Sequence, residues 1–509
     1  MRNFILLFSV GFLICLSSCR SDFEFERHVG GLRFSRDTVY LDTVFTNIGS
    51  STYTLKVYNR SDKDISIPTI QLGKGLDSKY RITVDGMTGE NNRIFHNVEM
   101  LAKDSMYIFI ETTADVAEAD PTTFLYTDQI QFGETGNFQN VELVTLIQDA
   151  IFLYPQRFDN GTTETLPIGD EEIYGFYLDE SDPNHGNEYT FTNQKPYVIY
   201  GYAGIPSGKT LTIQAGARVH FHASSGILVG NGGAIDVQGT PSTAGTQDGE
   251  VIFEGDRLEP DFSDVPGQWG AIWLTPGSTG NFDHATIKNG VIGLYIQNNS
   301  GTVSIDNCQI YDHSNFGILA QTANIVGTNT VINSAGEATL ACTLGGSYDF
   351  THCTFNNNFQ SSSQRAVAID NYYTDNNVQM PFNLNQANFK NCIIYGSNQV
   401  EMTLNRANDE NFAFEYGFEN CLIRFNNTTL ANGDLYQFDT NPRYSGNVFN
   451  QNPRFWDIND NDLHITIDPQ SGAIGIANPA YIITQDLDGN TRTTNDSGAY
   501  QSTDMPEEN

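Results

Sequence analysis

Positive charge is scarce in this sequence: 26 Lys and Arg stand against 61 Asp and Glu, a formal net charge of −35. A surface of that sign repels phosphate backbones and excludes nucleic acid as a partner. It also repels anionic polysaccharides unless calcium bridges them or a local basic cleft receives them. The basic side chains from Lys195 to Arg443 are scattered and form no cluster in the sequence. Charged residues of both signs are only 17% of the chain, and beyond the first residues no apolar stripe repeats at helical spacing, which argues against a helical fold. The one long apolar stretch, Phe4 to Leu16, is too short to span a bilayer comfortably. No two cysteines are spaced CxxC, which removes the usual zinc layout.

What is present begins with an address. Arg2, the apolar stretch and then Leu16-Ser17-Ser18-Cys19 resemble the signal and lipobox of bacterial lipoproteins of the Bacteroidetes type. That resemblance implies a signal peptide over 1–18, a lipidated Cys19 carrying palmitate-type chains, and a tether over 19–31. Arg20 stands where an Asp would signal inner-membrane retention, so the expected location is the outer membrane. The acidic tract at 21–26 points to the cell surface. A plain secretory signal is the alternative.

A chain of 509 residues implies more than one folded unit. Residues 32–150 read as short strands with apolar/polar alternation ("TVYLDTVF", "TYTLKVYN", "SMYIFIETT"), the pattern of a β-sandwich. The "TNxG" turn after the first strand and the turn at Lys103-Asp104-Ser105 resemble immunoglobulin-like domains of cilia-associated and bacterial surface proteins. The Cys…Trp…Cys trio of antibody domains is missing. Residues 151–194 are expected to be a connector and cap.

From about residue 195 a repeat sets in. An Asn/His-x-x-apolar frame recurs at "HATI" 284, "NCQI" 307, "NTVI" 329 and "HCTF" 352, in steps of 23, 22 and 23; "NCII" and "NCLI" follow after 39 and 29, as if loops were inserted. A second frame, a small residue followed by an in-out-in strand, recurs at 226, 271, 293 and 317; its first step of 45 is two coils or one coil with a loop. Two frames stepping together without helix between them predict an all-β solenoid, a parallel β-helix over 195–455. "IPSGKTLTIQAGARVHF" (205–221) and "VPGQWGAI" (265–272) resemble the opening of right-handed β-helices of the pectin-lyase-like superfamily. "DLDGNTRTTNDSGAY" (486–500) resembles the closing segment of surface β-helix proteins. A C-terminal closing segment is therefore expected over 456–503, with a tail over 504–509. Because that superfamily includes lyases, hydrolases, adhesins and stalks, the fold alone assigns no activity.

Cys308, Thr330, Cys353, Cys392 and Cys421 share one frame position. Stacked about 4.8 Å per coil, they read as a structural ladder of small buried side chains, with a Cys392–Cys421 disulfide as the alternative; metal is expected at none of them. Chemistry has few other candidates. Asp283, His284, Asp306 and Asp312 lie on neighbouring coils with only Lys288 near as a base. "NHGN" at 184–187 falls in an acidic loop, and "DLDGN" (486–490) and "DINDND" (457–462) read as turns, with adventitious calcium the only cation expected. The outward positions of the strand frame, Leu228, Trp273, Tyr295 and Leu319, instead form an apolar stripe suited to sugar rings unless the 254–268 loop or the sandwich covers it. The leading expectation is a non-catalytic surface module that binds a polysaccharide or serves adhesion and scaffolding. A polysaccharide lyase or glycoside hydrolase is the alternative, which clustered carboxylates in an open groove would favour.

Overall fold

The computed structural model describes residues 24–505 apart from 29, 120–123, 244–245 and 432, so Cys19 and the lipobox lie outside the described residues. The chain divides into two units, 1–149 and 150–509.

The first unit packs two sheets face to face. Strand Ile65–Leu72 pairs antiparallel with Ile94–Met100 and Leu125–Glu134, and Asn137–Gln148 joins that sheet to Thr38–Phe45 in parallel. The facing sheet holds Tyr53–Tyr58, Ser105–Thr112 and Tyr80–Val84. Alternation does the work here: Val39, Leu41, Leu55, Val57, Ile108 and Ile110 are solvent-free, and the residues between them face outward. Asn47 of "TNIG" and Lys103 both take the left-handed backbone region, at φ +60°.

In the second unit three parallel ladders run side by side, one per face of a solenoid. The strand-frame face stacks Ile227, Ile272, Leu294, Ile318, Leu340, Val367 and Met402 in register. Each of these is fully buried, and burying such a side chain stabilises by roughly 1.5–3 kcal/mol. Ile227 pairs directly with Ile272, so the step of 45 is one coil with a loop. The step of 39 contains an antiparallel hairpin, Tyr372–Asp375 with Val378–Pro381.

The Asn/His frame marks a corner. His284, Asn307, Asn329, His352, Asn391 and Asn420 all have φ between +46° and +55°, a region that Asn tolerates better than other non-glycine residues. The corner turns the chain into the third ladder, where Ile287, Ile310, Ile332, Phe355, Ile394 and Ile423 point inward.

Residues 455–505 do not extend the stack. They run back along the third face and close a side of the solenoid. The outward column of that face shows why: Thr286 and Gln309 are followed in register by Val331, Thr354, Ile393, Leu422 and Val448. Val331 is covered by Leu463, Leu487 and Tyr500, and Ile393 and Leu422 by Ile465 and Ala473. At the corner, Asn391 accepts from the backbone N–H of Asn478 at 2.7 Å, Asn420 donates to Ile476 O at 2.7 Å, and Arg492 donates to Asn329 Oδ1 at 3.1 Å.

Candidate functional site

The outward column of the strand-frame face is Leu228, Trp273, Tyr295, Leu319. Trp273 and Tyr295 stack with centroids 5.2 Å apart and planes 24° apart. Their polar tips are fixed by the next outward column: Trp273 Nε1 donates to Gln297 Oε1 at 2.8 Å, Gln297 Nε2 donates to Tyr295 OH at 2.7 Å, and Tyr295 OH donates to Gln321 Oε1 at 2.8 Å. The rings are therefore held flat and half-buried, with both hydrogen-bonding tips committed. Gln297 and Gln321 were not singled out in the sequence, although each stands two residues after a stripe position and the same alternation places it outward.

Leu228, read as an exposed stripe residue, is only 4% exposed. The hairpin of Thr165–Ile168 and Glu171–Tyr177, from the connector region, rises beside it, and Pro167, Ile168, Tyr177, Leu228, Trp273 and Gln297 line a cleft of about 360 Å³. The loop suggested as a cover packs elsewhere: Ser263 O accepts from Asn289 Nδ2, and Gln268 donates to Phe262 O and Val265 O. Leu319, next in the row, is half-buried, and the column continues to the buried Ala341.

A larger groove, about 620 Å³, lies where the third face is still polar, at the edge of the C-terminal segment. Glu250, His284, Gln309, Trp456, His464 and Asp488 are among its walls. Its carboxylates are largely committed. Glu250 accepts from Thr286 Oγ1, and Asp462 and Asp488 both hold His464. Burial alone would raise Asp462, but the bonds from His464 bring its carboxyl below the ordinary range.

The acids flagged in the sequence are near one another without forming a reactive pair. Asp283 and Asp306 are register neighbours. Asp283 bonds His284 Nδ1 at 2.6 Å and accepts from Asn307 at 3.0 Å; those bonds outweigh burial and hold it low. Burial raises Asp306, helped by the charge of Asp283. Asp312 is pushed by burial up to about 6 and accepts from Asn461 at 2.8 Å. Lys288 pairs with Glu254 at 3.0 Å. The "NHGN" loop gives more than the sequence suggested: donor atoms of Asp182, His185 and Glu188 lie within 4.8 Å of one another, close enough to hold a cation together. Asp486 and Asp457 instead accept backbone N–H groups of their own turns.

Cys308, Cys353, Cys392 and Cys421 are free and buried, as is Cys342, which the frame did not contain. Successive ladder bonds (Val331 N to Cys308 O, Thr354 N to Thr330 O, Ile393 N to Cys353 O, Leu422 N to Cys392 O) put the column of Cys308, Thr330, Cys353, Cys392 and Cys421 in register. Burial raises the thiols of Cys308, Cys353 and Cys421, which suppresses the thiolate that a nucleophile requires.

With the three ladders and the inward columns established, the comparison with known families gives the handedness. A family model described as a right handed beta helix region matches residues 215–386. The solenoid is a right-handed β-helix. Among solved structures, the chain with its β-helix is similar to the catalytic unit of a thermostable GH87 alpha-1,3-glucanase from Streptomyces thermodiastaticus strain HF3-3, at 9% identity over 72% of this chain and 79% of that one, with a TM-score of 0.22. It is similar to the Agl-KA catalytic domain at 12% identity over 74% of this chain and 80% of that one, with a TM-score of 0.16. The E. coli chaperone DraB matches 24% of this chain at 14% identity with a TM-score of 0.16, and the match spans 57% of the chaperone. Likenesses this distant do not bear on activity. No curated protein matches the sequence.

Proposed function

We propose that this chain is an outer-membrane lipoprotein, anchored through lipid on Cys19, whose β-helix binds an uncharged polysaccharide without cleaving it. The immunoglobulin-like sandwich serves as a spacer. One observation carries the reading: the cleft beside Trp273 is walled by aromatic, aliphatic, amide and hydroxyl groups, and among the described residues no Asp, Glu, His, Lys or Arg lines it. Stacked, immobilised rings offer a sugar its apolar face at little entropic cost. Glycoside hydrolysis needs a pair of carboxyl groups flanking the bond and elimination needs a base; this cleft supplies neither.

A second reading, a polysaccharide-cleaving enzyme, is favoured by Glu250, Asp462 and Asp488 in the 620 Å³ groove. Those carboxylates already serve Thr286 and His464, which is why binding is preferred.

Affinity electrophoresis of the protein through gels carrying neutral and acidic polysaccharides, with and without calcium, separates the two. Binding predicts retardation by a neutral polymer, without calcium and without release of reducing ends, and Trp273→Ala should run free. Release of reducing ends that stops in Asp488→Asn would replace this reading with the enzyme.

A further inference from the structure

Trp456 forms part of the wall of the acidic groove and also lines a different cavity of about 440 Å³, where Asn356, Asn358, Tyr395 and Arg424 of the coils meet Arg454 and Trp456 of the C-terminal segment. In a chain of net charge −35, two arginines lining one cavity are the local basic cleft that the scattered sequence positions did not reveal. Arg424 lies in the coils and Arg454 thirty residues later, and only the return of the C-terminal segment brings them together. Among the described residues neither forms a salt bridge, although Arg424 also acts on the buried carboxyl of Glu401.

The site is built. Arg424 is aimed by three contacts: Nε donates to Asn398 O at 2.6 Å, Nη1 donates to Tyr395 OH at 2.9 Å, and its guanidinium carbon lies 5.1 Å from the centre of the Tyr395 ring. Arg454 sits at φ +54°, a strained conformation for a residue with a side chain, fixed by its N–H donating to Asn452 Oδ1 at 2.8 Å. The one carboxylate on the lining, Asp457, is turned to the backbone N–H groups of Asn459 and Asp460, at 2.9 and 3.4 Å. Two polar atoms in this wall are buried without a partner, the indole Nε1 of Trp456 and Oδ1 of Asn358. An unpaired buried donor and an unpaired buried acceptor in one wall are what a ligand carrying both hydroxyl and acid groups would satisfy.

We infer that this cavity binds an acidic sugar unit, a pyranose bearing a carboxylate or sulfate, with the anionic group on Arg424 and Arg454 and ring hydroxyls on Trp456 Nε1 and Asn358 Oδ1. The guanidinium fork matches the flat, paired oxygens of such a group, and the volume suits one or two sugar rings. The inference is independent of the Trp273 cleft, which has no charged wall and selects the opposite class of glycan.

The test titrates the full chain with glucuronate, galactose 6-sulfate, glucose and sodium sulfate, followed by tryptophan fluorescence and saturation-transfer NMR. Glucuronate or galactose 6-sulfate, or both, should bind at least about tenfold more tightly than glucose, and the one that binds identifies the anionic group. Binding should weaken at least about tenfold in Arg454→Gln and in roughly 0.5 M salt. Trp456→Phe keeps the ring over His464 and removes the N–H; it should weaken binding several-fold at an unchanged melting temperature. Failure of both acidic sugars to bind, equal affinity for glucose, equal affinity in Arg454→Gln, or sulfate ion binding as tightly as the sugars would each overturn the inference.

Discussion

Nδ1 of His464 lies 2.6 Å from Oδ1 of Asp462, and the imidazole is gripped from every other side as well. Nε2 is 2.7 Å from Asp488, and the ring stacks between Trp456, at 4.7 Å, and Tyr500, at 3.8 Å. Four separate parts of the C-terminal segment are joined through one side chain.

That grip should make the clasp pH-dependent. Burial opposes the charge on His464, but the hydrogen bonds from Asp462 and Asp488 outweigh it and carry the group up to about 9. A pKa raised in the folded state stabilises it in full below the unfolded value of about 6.5, and that contribution is lost as pH climbs through about 9. The contribution is on the order of 1–3 kcal/mol. The melting temperature should fall between pH 7 and 10, with cleavage by a protease moving into residues 455–505, and His464→Asn should flatten the profile. A melting temperature of the parent chain that is level across this range would contradict the assignment.

Thr330 occupies the cysteine column, and its single O–H is shared between Ile305 O at 3.1 Å and Thr328 O at 3.0 Å. The position therefore accepts a hydroxyl of that size. Cys353→Thr is expected to cost less than about 1.5 kcal/mol in urea unfolding, whereas Cys353→Leu should cost about 1–3 kcal/mol by overpacking. Equal losses from the two would show that the column is not governed by volume.

Asn391 takes φ +52° and exchanges two hydrogen bonds with the backbone of Asn478. Asn391→Ala strains the corner and frees the C-terminal segment, for an expected loss of about 2–4 kcal/mol. Asn391→Gly removes only the second effect's partner and relieves the first, so it should lie about 1 kcal/mol above the alanine variant. Calorimetry of the pair checks the order.

Glu401 is solvent-free, and its oxygens accept from the backbone N–H groups of Asn398 at 2.6 Å and Ala366 at 2.9 Å. Burial pushes its carboxyl up to about 8 against the pull of those bonds and of Arg365 and Arg424. Glu401→Ala leaves two buried donors unpaired and should destabilise by about 2–4 kcal/mol. A variant that unfolds at the parent denaturant midpoint would show that water replaces the carboxyl group there.

The parts of this molecule that repeat are the parts that could be read. Asn307, Asn329 and Asn391 recur because each coil must pass through a left-handed corner, and Trp273 and Tyr295 fall outward because a strand alternates. Contacts between segments with no shared period were invisible: the hairpin beside Leu228 and the meeting of Arg424 with Arg454. The grouping of Asp182, His185 and Glu188 is local, but it depends on how one loop folds, which spacing alone does not give. One signal was present and unused. The outward column changes from Thr286 and Gln309 to Val331, Ile393 and Leu422, and an outward apolar run means that something covers it.

That run has a consequence for stability. The coils of residues 331–448 bury their inward columns against one another, but Val331, Ile393 and Leu422 on the outward strip are buried against residues 455–505. Stripped of that segment, the middle of the solenoid would present a continuous apolar flank to water. The closing residues are thus a lining turned inside out, a second core laid on the outer wall of the first.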